Sequence, residues 1–233
     1  MPGMRNQWHL LNASVRRILR VGVPASICVL AACVLPASAL GASDTTQFSV
    51  NAGALSFTAN PNVPDLGALS LNGQAQTLNG QMANFAVQDA TGAGAGWNVT
   101  VVGDGTAGKS AVFKQYCSNG ASACGSDAAN SYVSGGKTLA ANSLTLTSTG
   151  AGFTAQNGTT GTAPTHSCGS GCFVDSASAV KVVSAAVGAG MGTYQANSYS
   201  GTSLALATPS NLSVLPANEV YRVDLVWSLN SGP

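Results

Sequence analysis

From Trp97 to Val102 the chain alternates, with Trp97, Val99 and Val101 on one side and Asn98 and Thr100 on the other. A period of two is the pattern of a half-buried β-strand. The stretch from Tyr221 to Leu229 repeats it, setting Tyr221, Val223, Leu225, Trp227 and Leu229 against Arg222, Asp224, Val226 and Ser228. Asn84–Gln88, Thr138–Thr147 (through Leu144 and Leu146), Val180–Val187, Thr193–Tyr199 and Leu204–Ala207 predict further strands. Weaker signals place short strands on both sides of Asn51-Ala52-Gly53, with Phe48, Val50, Leu55 and Phe57 as core positions. Leu69–Leu71 and Gln76–Leu78 flank the turn signal Asn72-Gly73, and Leu212–Leu215 precedes a turn at Pro216-Ala217-Asn218. Ser110–Tyr116 fits a strand or a short helix, and Phe153–Thr165 reads as a loose connection. No stretch sustains a 3.6-residue period, so the predicted fold is all-β, an antiparallel β-sandwich or barrel-like arrangement. Strand signals thin over two irregular, cysteine-bearing loop inserts, around 103–136 and 150–178.

The first residues follow another pattern. Arg16, Arg17 and Arg20 precede the apolar run Val21–Leu35, and Ala37-Ser38-Ala39 is a small-x-small cleavage signal. Together they read as a cleaved secretory signal peptide over residues 1–39. The apolar run is short and is broken by proline, so no stable transmembrane anchor is expected. Residues 40–233 then make a single domain. Loss of Arg5, Arg16, Arg17 and Arg20 leaves five basic residues against eight acidic. No basic stripe remains to neutralise a phosphate backbone, which argues against nucleic acid as a partner.

Cys28 and Cys33 leave with the signal segment, while Cys117, Cys124, Cys168 and Cys172 stay. An even number in an exported chain predicts disulfides, with three pairings open in principle. Spacing favours the local one, Cys117–Cys124 with Cys168–Cys172. Export and the lack of Cys-x2-Cys spacing argue against zinc, and no metal is expected.

Catalytic constellations are missing from the pattern. After residue 39 the chain has one histidine, His166, read as a loop residue, and its carboxylates Asp89, Asp175, Glu219 and Asp224 lie in no paired setting. Asp224, on the face opposite Trp227, reads as a surface residue. The glycines at 92, 94 and 96 lack the lysine and strand–helix context of a phosphate loop. Neither a catalytic residue nor a cofactor is expected. Trp97 and Trp227 either pack in the core or line a ligand groove, where an aromatic face can stack on a sugar ring. Asn98 and Asn230 stand beside them with amides suited to sugar hydroxyls. Asp89 either caps a turn by accepting backbone N–H bonds or sits at the edge of that groove.

Three phrases taken together are more specific than any of these. They are Gly53-x-Leu55-x-Phe57, then Val87-x-Asp89-x-Thr91-Gly92-x-Gly94-x-Gly96-Trp97, and the terminal Tyr221-x-Val223-x-Leu225-x-Trp227-x-Leu229. With them the chain resembles the WxL-domain family of surface proteins from Gram-positive bacteria, over about residues 44–233. The first motif departs from the family in reading Trp97-Asn98-Val99, with valine where leucine is usual, and the cysteine segments are unlike typical members. The resemblance implies a secreted protein on the cell surface, attached non-covalently to the cell wall through peptidoglycan or another wall polymer. It implies surface proteins with Ig-like domains as partners, and it puts Trp97, Trp227 and Asp89 in the region the family shares. A non-catalytic wall-binding protein is therefore expected. The alternative is a structural subunit of a surface complex, acting through protein–protein contacts such as strand addition.

Overall fold

Regular structure is entirely β in the computed structural model, which describes residues 45–118 and 123–233. The expected signal peptide lies outside the described residues. Seventeen strands are present among the described residues. The first four are β1 (Leu55–Ala59), β2 (Gln76–Gly80), β3 (Phe85–Asp89) and β4 (Trp97–Gly103). A run of short strands follows: β5 (Lys114–Cys117), β6 (Ala123–Cys124), β7 (Asp127–Ala128), β8 (Ser131–Tyr132) and β9 (Leu144–Leu146). Then come β10 (Gly152–Gln156), β11 (Thr165–His166), β12 (Cys172–Phe173) and β13 (Val180–Ala185). The last are β14 (Gly192–Asn197), β15 (Leu204–Thr208), β16 (Glu219–Arg222) and β17 (Leu225–Ser231).

Three four-stranded antiparallel sheets carry the domain, in the orders β1-β3-β14-β10, β11-β13-β4-β17 and β12-β9-β15-β2. A three-stranded sheet, β16-β5-β8, and the β6-β7 pair complete it. Every sheet ends in two edge strands, so none closes into a barrel among the described residues. Residues 49–233 form one unit. Its core is a single cluster fed by alternate positions of all three larger sheets: Phe85 and Val87, then Trp97, Val99 and Val183, then Leu144, Leu146 and Leu204. Each such side chain contributes about 1.5–3 kcal/mol by leaving water.

The two cysteine-bearing inserts take different roles. Segment 150–178 holds three strands, and each pairs onto the end of a different large sheet: β10 beside β14, β11 beside β13, β12 beside β9. What the sequence marks as an irregular insert thus supplies one edge to each of the three larger sheets. The Cys168–Cys172 disulfide closes the bend between β11 and β12, and Cys168 is wholly buried in the core. Segment 103–136 builds the small sheets instead, with β5 pairing β16 and β8, and Cys117–Cys124 ties β5 to β6. The local disulfide pairing expected from spacing is the one formed.

Four expectations fail, for physical reasons. Residues 45–54 form no strand, and Phe48 and Val50 are exposed rather than core; the pairing of β1 with β3 runs on only as far as Gly53 and Ala54, which bond to Ala90 at 2.8 and 3.1 Å. Leu69–Leu71 and Leu212–Leu215 are likewise irregular. At 72–73 a turn does form, with the Gln74 N–H donating to Asn72 Oδ1 at 3.0 Å, but only β2 follows it and no strand precedes it. The terminal run is two strands, because β16 pairs with β5 and β17 with β4. Between them the chain changes sheet at Val223-Asp224, where Asp224 N donates to Ser110 O at 2.9 Å and Asp224 O accepts from Asp104 N at 2.8 Å.

Candidate functional site

The two Trp-x-apolar motifs lie side by side. In the antiparallel pairing of β4 with β17, Val99 faces Leu229, Val101 faces Trp227 and Trp97 faces Ser231. Directly opposed residues share a face, so both tryptophans point inward from the same sheet, one at each end of a shared apolar ladder. Their surroundings differ. Trp97 is 1% exposed and its indole N–H donates to Gly190 O at 3.0 Å, which satisfies its one polar atom inside the core. Gly190 has φ +73°, and a β-carbon there would lie 2.6 Å from Trp97 Nε1. The ring therefore offers no face to a ligand. Trp227 is half-buried, tilted against Phe85 with ring centroids 6.3 Å apart, and borders a groove.

The polar residues beside the motifs serve the fold. Asp89 is buried, and its Oδ1 accepts from the Thr91 N–H at 3.0 Å and the Thr91 hydroxyl at 2.6 Å. This is the turn-capping arrangement, and it launches the glycine-rich segment that delivers Trp97. Asn98 Nδ2 donates to Gly232 O at 2.7 Å, and its Oδ1 accepts from Asn230 Nδ2 at 3.3 Å. Both amides knit β4 to β17 and the following residue.

The groove beside Trp227 has a volume of about 1100 Å³. It is lined by the irregular segments 61–71 and 212–215, by β16 and by the start of β17. The buried Leu139 and Leu206 and the half-buried Leu66, Leu78 and Leu212 give it an apolar floor, while Leu71, Val214 and Val220 are exposed along it. Tyr116 and Tyr221 also line it, as do the charged groups Asp65, Glu219, Arg222 and Asp224.

Asp224 organises one wall. Contrary to its reading as a surface residue, its side chain is only 10% exposed. It accepts from Tyr132 Oη at 2.6 Å, Arg222 Nη2 at 3.0 Å and Ser110 N at 3.2 Å, with Lys109 Nζ 3.6 Å away. Burial pushes its pKa up, but those hydrogen bonds and the Arg222 charge outweigh it and hold the carboxyl below its usual range. Burial, and then the bond to this carboxylate, raises the Tyr132 phenol. Arg222 lies 4.5 Å from the centre of the Tyr116 ring, so its charge is shared between an acid and an aromatic face.

Elsewhere the ionisable groups are structural. Asp175 is fully buried and accepts from Ser143 N at 2.8 Å and Leu144 N at 3.1 Å, pinning the start of β9. Burial raises its pKa, with those two N–H bonds opposing. His166 is on a strand and half-buried, stacked on Phe153 at 4.4 Å and edge-on to Tyr199 at 5.4 Å. Among the described residues no three His, Cys, Asp or Glu side chains gather as a metal-binding group. No helix among them is long and apolar enough to cross a membrane. Along segments 61–71 and 212–215, which are irregular, the groove carries no periodic signal in sequence; Tyr221, Asp224 and Trp227 stood out in the terminal alternating run, but nothing there showed that they border one groove.

No curated protein and no solved structure matches the chain. A family described as "WxL domain surface cell wall-binding" matches residues 45–233, from before β1 to beyond β17. With its two tryptophan motifs paired across β4 and β17, the chain belongs to the WxL-domain family.

Proposed function

We propose that this is an exported, non-catalytic protein of the cell wall, which holds peptidoglycan or another wall polymer non-covalently in the groove beside Trp227. The observation that carries this reading is the groove itself. It is large, it has an apolar floor with a few polar groups at the rim, and it adjoins the second family motif. Trp227, the half-buried tryptophan of the pair, supplies the aromatic contact; Trp97, Asn98 and Asp89 shape the strand pair that presents it. Purified protein sedimented with wall sacculi should bind saturably. Leu71→Asp and Val214→Asp, exposed positions along the groove, should lower that binding tenfold or more with unchanged circular dichroism. Val187→Asp, 74% exposed and outside the groove, should bind like wild type. Equal binding by all three variants would remove the groove from the account.

A second reading makes the protein a subunit that acts through other surface proteins, including ones with Ig-like domains. The strand-patterned residues 45–51, unpaired among the described residues with Phe48 and Val50 exposed, favour it. It predicts no sacculus binding by the protein alone.

A further inference from the structure

The charge around the groove is unbalanced, and that bears on which part of a wall polymer it takes. Four charged side chains line it: Asp65, Glu219 and Asp224 are acids and Arg222 is the one base. Arg222 is already committed to Asp224 at 3.0 Å. Asp65 and Glu219 form no ion pair among the described residues; Glu219 accepts a neutral hydrogen bond from the Gln115 amide. The groove thus presents two carboxylates without a counter-charge around an apolar floor. Such a surface attracts a cation attached to a small apolar body and repels polyanions.

We propose, resting on the wall-binding reading above, that the ligand is the amine-bearing peptide portion of peptidoglycan. Its small apolar side chains lie along Leu66, Leu78, Leu139 and Leu206, and its free ammonium meets Asp65 and Glu219. Amines also occur as aminoacyl esters on phosphate-containing wall polymers, but the same two carboxylates oppose the phosphates. The sugar chain is a poorer match as well, because Trp97 is buried and Trp227 exposes only part of a ring packed on Phe85.

The test uses soluble disaccharide-peptide fragments released from sacculi by a muramidase, before and after acetylation of their free amines. Binding to the purified protein is followed through tryptophan fluorescence and calorimetry. Native fragments should bind at least tenfold more tightly than acetylated ones. Asp65→Asn and Glu219→Gln should each weaken native-fragment binding roughly two- to fivefold, the scale of a solvent-exposed ion pair. Neither change should affect the acetylated fragments. Equal affinity for both fragment preparations overturns the proposal, as does unchanged affinity in both variants. Sacculus binding that disappears when phosphate polymers are stripped, with no binding of fragments, assigns the amine to those polymers and also overturns it. Absence of binding to any sacculus preparation removes the wall-binding reading itself, a separate result.

Discussion

Trp97 and Gly190 depend on one another. The indole needs an acceptor inside the core, and the Gly190 carbonyl reaches it only because position 190 lacks a side chain and takes a positive φ. Gly190→Ala should destabilise the fold by about 1–2 kcal/mol through the backbone alone, and by more once the methyl group meets the ring. Trp97→Ala should cost about 3–5 kcal/mol. Urea unfolding followed by circular dichroism reads both, and a Trp97→Ala protein as stable as wild type would contradict its place in the core. His166 gives a pH signature. Burial lowers its pKa below the ordinary histidine value, while a weak contact with Gly152 O works the other way. The unfolded chain therefore takes up a proton first as pH falls, so this contribution to stability is whole above about pH 6.5 and shrinks below it. Unfolding free energies between pH 7.5 and 5 should decline for wild type and less for His166→Phe. At this scale the sequence left both tryptophans undecided between core and groove. Alternation shows that a side chain faces inward, whereas depth depends on the layers above it. Trp97 lies on a strand flanked on both sides, by β13 and β17, and Trp227 on an edge strand next to irregular segments.

The two disulfides close short loops, so chain entropy gives each about 2 kcal/mol. Their surroundings separate them. Cys168 is packed in the main core and its bridge bends the chain between two sheets, whereas Cys117–Cys124 belongs to the small sheets. Replacing Cys168 and Cys172 by alanine should lower the thermal midpoint more than replacing Cys117 and Cys124, because Cys168 and Cys172 both pack on the main core cluster, whereas Cys117, though as deeply buried, lies outside it. Calorimetry on the two double variants makes the comparison, and the reverse order would contradict it. Strands with clean alternation, such as β3, β4 and β9, were legible in the sequence. The edge strands β10, β11 and β12 were not, for β11 and β12 are two residues long and β10 carries a single large apolar residue, Phe153, and their strand character comes from the neighbours they pair with. The split between β16 and β17 was hidden for a similar reason. Alternation runs unbroken through Asp224, and only the change of pairing partner reveals the corner.

Across the whole molecule, the all-β class could be read in advance, but the order of strands could not, since pairing leaps across the sequence. β2 pairs with β15, and β4 with both β13 and β17. Such non-local pairing has a consequence for how the chain reaches its native state. During synthesis β4, with Trp97, Val99 and Val101, is made early, yet its two partners come from residues 180–185 and, last, 225–231. Loop closure over that span comes before any reward in contacts, which is the condition for slow folding. A protein truncated after Asp224 should fail to give the native circular dichroism spectrum, and a native spectrum from it would show β17 to be dispensable. Until its last strand arrives the chain is a sticky, unfinished product, and helper proteins that shield exposed strands would have their longest task here.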